Sequence, residues 1–241
     1  MKFEADLHVH SVGSSHAYST IVDIVQTAVK KGLKMVAITD HGPKMPDGPH
    51  LYYFYNMRVL PKSYLGVEIL KGVEANIIDE KGNIDIPEDL AKKLDIVLAG
   101  FHPHCSPTGT VVENTKTMIN TINNPLVDMI VHPGNPKFQV DQTEIVLACK
   151  EKGTLLEINE NSLEGVGSRV GSYSNCLIFA EKVVEHGIKV AIGSDAHWAE
   201  HIGNFPLAVE LALKVGLREN QIINTSVQEI YSYLQKRGRG N

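Results

Sequence analysis

Two histidines one residue apart open the chemistry of this chain. Asp6-Leu7-His8-Val9-His10 alternates polar and apolar residues, which predicts a strand. Alternate side chains of a strand share a face, so His8 and His10 point the same way and form half of a metal site. Gly13, Ser14 and Ser15 then predict a turn, with His16 after it. The same residue types recur wherever a short apolar run ends. His41 follows residues 35–39, Glu74 follows 69–73, His102 follows 95–100 and His132 follows 126–131. Asp195 and His197 follow 189–193, so seven of the eleven histidines sit beside predicted strand ends. Together His8, His10, His16, His41, Glu74, His102, His132, Asp195 and His197 are too many ligands for one zinc. They suit two or three metals with a shared carboxylate. Structural zinc favours closed cysteine sites, whereas Cys105, Cys149 and Cys176 are scattered and form no paired motif.

Those side chains need elements to hold them. Ser19-Thr20 caps a predicted helix that runs to Lys31 and stops at Gly32. Further helices are predicted over about 111–123, 141–151, 172–186, 205–215 and 227–236, with a short one after Pro87. Residues 44–61 form a long segment whose Tyr52, Tyr53, Phe54 and Tyr55 are expected to pack over a rim. Residues 159–162 and the Gly165-Val166-Gly167-Ser168 stretch read as loop, and the tail 237–241 as loose. Seven short apolar strands, mostly alternating with helices, imply a parallel sheet. The pattern permits an open doubly wound sheet or a barrel. Polar residues after every strand favour the barrel, whose strand ends converge on one face.

The bulk properties agree with one globular domain over residues 1–241. A net charge of −5 and a pI near 6.1 argue against a broad nucleic-acid surface. Glu4 and Asp6 break any leader-like run, and no apolar stretch approaches a membrane span, so a reducing, cytoplasmic setting is expected.

The motifs resemble one family. Asp6-Leu7-His8-Val9-His10, Ile38-Thr39-Asp40-His41, Gly72-Val73-Glu74-Ala75-Asn76, Gly100-Phe101-His102, His132-Pro133-Gly134-Asn135-Pro136 and Gly193-Ser194-Asp195-Ala196-His197 are similar to the PHP (polymerase and histidinol phosphatase) family. The stretches around His16 and His41 look closest to its YcdX-type phosphatases. The resemblance implies a distorted, TIM-like (β/α)7 barrel with a trinuclear centre, usually of zinc, sometimes of manganese or iron. It implies that His8, His10, Glu74 and Asp195 hold a first metal. Glu74, His102 and His132 would hold a second, with Glu74 bridging, and His16, His41 and His197 a third. It also implies a homo-oligomer, a trimer among the options. The second histidine in His102-Pro103-His104-Cys105 departs from the pattern and reads first as a loop residue.

The chemistry expected of such a centre is phosphate-ester hydrolysis. Three dications against two ligand carboxylates leave roughly +4 in a small volume, which draws in an anionic ester. Metal-bound hydroxide supplies the nucleophile, so no Ser-His-Asp or Cys-His set is required. Asp40 and Glu74 are the catalytic candidates, Asp40 either as acid/base or as a carboxylate that orients a ligand. Arg169, Lys137 and His104 are candidates for substrate contact, while His50, His186 and His201 read as non-ligands. The expected function is a metal-dependent phosphatase for small phosphorylated molecules. The alternatives are a phosphodiesterase or nuclease, a histidinol-phosphatase-like monoesterase, and a non-catalytic domain stabilised by metal.

Overall fold

A computed structural model describes residues 1–165 and 167–240. In chain order the elements are β1 (Ala5–Val9), α1 (Ile21–Lys31), β2 (Met35–Ile38), α2 (Leu51–Asn56), β3 (Ser63–Tyr64) and β4 (Val67–Asn76). Then come α3 (Glu88–Ala91), β5 (Ile96–Gly100), α4 (Val111–Ile122), β6 (Met129–Ile130), α5 (Gln142–Lys152), β7 (Leu155–Asn159) and α6 (Glu160–Leu163). The last are α7 (Ser172–His186), β8 (Val190–Gly193), α8 (Pro206–Val215) and α9 (Val227–Lys236). Seven strands run parallel in the order β1-β2-β4-β5-β6-β7-β8. β8 returns to β1, where the Asp195 amide donates to the His8 carbonyl at 2.9 Å and the His10 amide to that of Ala196 at 3.0 Å. The result is the expected nearly closed (β/α)7 barrel.

Two apolar layers hold it. Leu7, Met35, Ala37, Leu70, Leu98, Met129, Leu155 and Ala191 fill the barrel, and Ile230 and Leu234 of α9 plug its lower end. Val36, Val73, Val97, Ile130, Leu156 and Ile192 face outward against the helices. Sequence signals set the helix ends. Thr20 and Asp23 close a capping box at the start of α1, Thr110 and Glu113 do so for α4, and Gly32 ends α1 in the left-handed region. No helix among the described residues is long and apolar enough to cross a membrane.

Several expectations need correction. β3 forms a short antiparallel hairpin with β4, in a stretch where no strand was expected. β4 spans ten residues and carries Glu74 within it, while β6 shrinks to two. Residues 159–162 are mostly α6, because the Asn159 side chain accepts from the Ser162 amide and caps a helical turn. The described part of the tail, residues 237–240, is not loose. Arg239 is buried and donates through Nε to Asp128 at 3.3 and 3.0 Å, and also reaches the carbonyls of Ala91, Leu94 and Leu126. A lone surface-type arginine carries no sequence signal for such a partner. Val166 and Asn241 lie outside the described residues.

Candidate metal centre

The upper ends of the inward-facing strand positions build the site. On β1 the pairing with β2 shifts register between Asp6 and Val9. Ala5 and Leu7 face the barrel interior, but Val9 faces the helices, so His8 and His10 on either side of it turn inward. On β4, Leu70 starts an inward series that continues through Gly72, Glu74 and Asn76. His132 and Asp195 lie just past β6 and β8 with φ of +35° and +55°. Non-glycine residues rarely adopt that region, and the strain swings both side chains to the centre. Two glycines clear space. A Cβ on Gly100 would sit 2.6 Å from the His132 ring, and one on Gly193 would sit 2.0 Å from Glu157 Oε1.

The donor atoms converge. His8 Nε2 and His10 Nε2 are 3.1 Å apart. Asp195 Oδ1 lies 3.6 Å from the first and 3.1 Å from the second, and Glu74 Oε2 lies 3.5 and 3.4 Å away. The other oxygen of Glu74 faces a second pair, His102 Nε2 at 3.1 Å and His132 Nε2 at 2.5 Å. Glu74 therefore points one oxygen at each of two histidine sets. His41 Nδ1 approaches Glu74 Oε2 at 2.7 Å. His10, His41 and His197 form a further compact group of donors. The His16 ring stacks 4.9 Å from those of both His41 and His197, and His16 is the most exposed of the nine candidates.

Charge and bonding in the cluster suit metal ions. Glu74, Asp195 and Glu157 are buried carboxylates, and the Arg169 guanidinium pairs with Asp195 as a fixed positive charge among them. Buried negative charge calls for cations. Glu74 Oε2, Asp195 Oδ1 and His41 Nδ1 are buried with no hydrogen-bond partner among the described residues, although donor atoms crowd them. Burial would raise Glu74, but His41, His102 and His8 hold it well below the usual carboxylate range. Asp195 is likewise held low against burial, by Arg169 and His8. Burial would lower His8, yet Glu157, Asp195 and Glu74 together push it well above the usual imidazole range. Burial, with His197 and His41 nearby, pushes His10 well down, and burial with Arg169 takes His132 down to about 3. A neutral imidazole is the form that ligates a metal.

A ring of polar residues stands behind the donors, and sequence reasoning missed most of it. Glu157 on β7 accepts from His8 Nδ1 at 2.7 Å and from the His132 amide at 2.8 Å. Strand alternation from Leu155 already placed it inward, so a signal was present. Asp40 is fully buried and receives the Ser11 amide, Ser11 Oγ, Ser14 Oγ and Tyr53 Oη at 2.5–2.7 Å. Burial and Asp40 push the Tyr53 phenol upward, so it stays a donor. Phe54, Tyr53 and Tyr55 of the aromatic segment thus pack as expected, with Tyr53 adding a polar contact, but Tyr52 is exposed to solvent. His50 caps α2 through the Tyr52 amide at 3.1 Å, away from the donors.

Above the donors lies a hollow of about 610 Å3, lined by His16, His41, His102 and His197 with Met45, Pro46 and the three substrate candidates Arg169, Lys137 and His104. Arg169 also pairs with Asp195 and donates to Asn159 Oδ1 at 3.0 Å. Burial raises the Cys105 thiol to about 11, which leaves it a poor nucleophile. A second hollow, of about 460 Å3, opens at the other end of the barrel among Lys150, Lys152, Lys189 and Lys236. There α5 and α7 end, and their carbonyls account for cations; Lys150 donates to the His186 carbonyl at 2.9 Å.

A parallel barrel with histidines and carboxylates gathered at its strand ends defines a class of metal-site barrel proteins. The chain belongs to the PHP domain family, whose family model matches residues 6–158. It is 48% identical over 240 residues to a probable phosphatase of Thermoanaerobacter sp. (strain X514), covering 99% of this chain and 97% of that one. It is 45% identical over 237 residues to a probable phosphatase of Proteus mirabilis (strain HI4320), covering 98% and 96%. Among solved structures, histidinol phosphate phosphatase from Lactococcus lactis, complexed with zinc, L-histidinol and phosphate, shares the fold. Its TM-score is 0.63 at 16% identity, covering 90% of this chain and 95% of that one.

Proposed function

We propose that the protein is a metal-dependent phosphatase acting on small phosphorylated molecules at the upper end of the barrel. The observation that carries this reading is Glu74, fully buried, with one oxygen toward His8 and His10 and the other toward His102 and His132. The names of the relatives and the donor chemistry both support it. His8, His10, Glu74 and Asp195 would hold a first metal, Glu74, His102 and His132 a second, and His16, His41 and His197 a third. Zinc suits this imidazole and carboxylate set, with manganese or iron as substitutes. Bound dications would activate water at neutral pH and offset charge on the phosphoryl group. The chain's own residues do the rest. Glu74 fixes the separation of two donor sets. Arg169, at the mouth, is placed to pair with a phosphate oxygen once a cation takes its share of Asp195. Lys137 and His104 line the same hollow and would contact the substrate. Met45 and Pro46 give it an apolar wall on one side. Asp40 has all its close contacts on donors behind the site and serves there as an orienting group.

The test measures metal content and turnover together. Protein purified without chelator should hold roughly three metal equivalents per chain. It should cleave an aryl phosphate monoester faster than the matching diester, and Glu74→Ala should lose both metal and turnover while staying folded. Preference for the diester would move the assignment to a phosphodiesterase. Folded wild-type protein that takes up no metal would overturn it.

A further inference from the structure

The donors of this cluster differ in what stands behind them. Ser14 Oγ lies 2.6 Å from Asp40 Oδ1, 3.1 Å from His10 Nδ1 and 3.1 Å from the His41 amide. A hydroxyl has one proton and two acceptor sites, and a carboxylate only accepts. The other three groups on Asp40 are the Ser11 amide, Ser11 Oγ and Tyr53 Oη. The Ser14 proton therefore goes to Asp40. The His41 amide can only donate, so it fills one acceptor site of Ser14, and the remaining one faces His10 Nδ1. That contact is a hydrogen bond only if His10 carries a proton on Nδ1. Its Nε2 lone pair is then aimed at Glu74 Oε2 and Asp195 Oδ1.

We propose that Asp40, acting through Ser14, is a positioning residue that locks His10 in its Nδ1-protonated tautomer and so sets the metal affinity of the His8–His10–Glu74–Asp195 locus. The inference rests on the proposed metal centre and adds to it an order among the loci. His8 has a matching anchor, since its Nδ1 sits on Glu157 at 2.7 Å. The Nδ1 atoms of His102 and His132 are buried with no partner among the described residues. Their rings are held by packing alone at that atom. The locus anchored on both histidines is the tightest, and it loses that rank when the Ser14 link is cut. Partners of this kind are typically worth about 10- to 100-fold in metal affinity.

The experiment titrates apoprotein with zinc against a chromophoric chelator, alongside thermal melts and long-range nitrogen–proton NMR of the histidine rings. Wild type, Ser14→Ala, Ser14→Thr and Tyr53→Phe are compared. Ser14→Ala should weaken one zinc equivalent by about 10- to 100-fold and leave the others within about threefold. The His10 pattern should move from Nδ1–H to a mixture of tautomers. Ser14→Thr keeps the hydroxyl and should restore both. Tyr53→Phe removes a donor to Asp40 but not the link, and should leave the His10 tautomer unchanged. A wild-type His10 protonated on Nε2 alone would overturn the proposal, even if Ser14→Ala failed to fold. So would an unchanged tightest equivalent, or a uniform loss of all equivalents that follows the melting temperature. Wild-type protein that binds no zinc would sink the metal-centre reading, and the tautomer measurement would still decide the role of Ser14.

Discussion

Replacing Arg239 by alanine tests how the lower end of the barrel is held. Asp128 is fully buried and accepts the Val97 amide at 2.8 Å. Its positive partners are Arg239, at 3.0 Å, and Arg237 Nε, at 3.6 Å. Arg239 also holds the carbonyls of Ala91, Leu94 and Leu126. Its removal leaves a buried carboxylate with one more distant cation. Breaking such a pair costs about 3–5 kcal/mol. In a chain of this size each kcal/mol moves the midpoint by roughly 2–4 °C, so the expected drop is about 6–20 °C. The loss has a pH signature. Burial raises the Asp128 carboxyl and Arg239 opposes that rise. Without Arg239 the folded value goes higher still. A carboxyl raised on folding contributes stability that is complete below its unfolded value and lost as pH rises through the folded one. The gap between variant and wild type should therefore be smaller at pH 5 than at pH 8. Urea unfolding of both proteins at the two pH values, with metal content matched, reads it. A gap below about 1 kcal/mol, or one that widens toward acid, refutes the reasoning.

Gly193→Ala would drive a Cβ to 2.0 Å of Glu157 Oε1 and push that carboxylate off His8. Such overpacking costs about 1–3 kcal/mol, and zinc titration should show weakened binding at one equivalent; unchanged binding would count against Glu157 as an anchor. Thiol labelling should modify the half-buried Cys105 in native protein. It should spare Cys149 and Cys176, which burial raises to about 12, until urea is added. Thr20→Ala removes the hydroxyl arm of an exposed capping box on α1, while the residue-20 amide can still donate to Asp23, and should cost about 1 kcal/mol, with metal content unchanged.

Much of the fold was legible because two periodicities alternate cleanly along the chain. Each apolar run bounded by Gly, Pro or a capping residue became a strand or helix close to its expected place. The site was legible for the same reason: parallel strands of a barrel bring their ends together, so residues 8 and 195 meet without any local signal linking them. What stayed hidden depends on contacts between distant segments. The register shift in β1 and the positive φ of His132 and Asp195 follow from closure of the sheet and leave no mark in local composition. Tyr53 reaches Asp40 only because α2 folds over the rim. The Arg239–Asp128 pair joins residues 111 positions apart, and neither neighbourhood announces the other.

The seam between β1 and β8 has a consequence for how the protein is made. His8 and His10 emerge from the ribosome first, but the groups that complete their locus, Asp195 and the β8 backbone that pairs with β1, come some 185 residues later. A nascent chain that stops short of β8 leaves the seam edge of β1 unpaired. Contacts this far apart in sequence form late and slowly. The His8–His10–Asp195 part of the centre thus comes together only when the barrel shuts, whereas Glu74, His102 and His132 belong to strands that pair with one another before β8 is made.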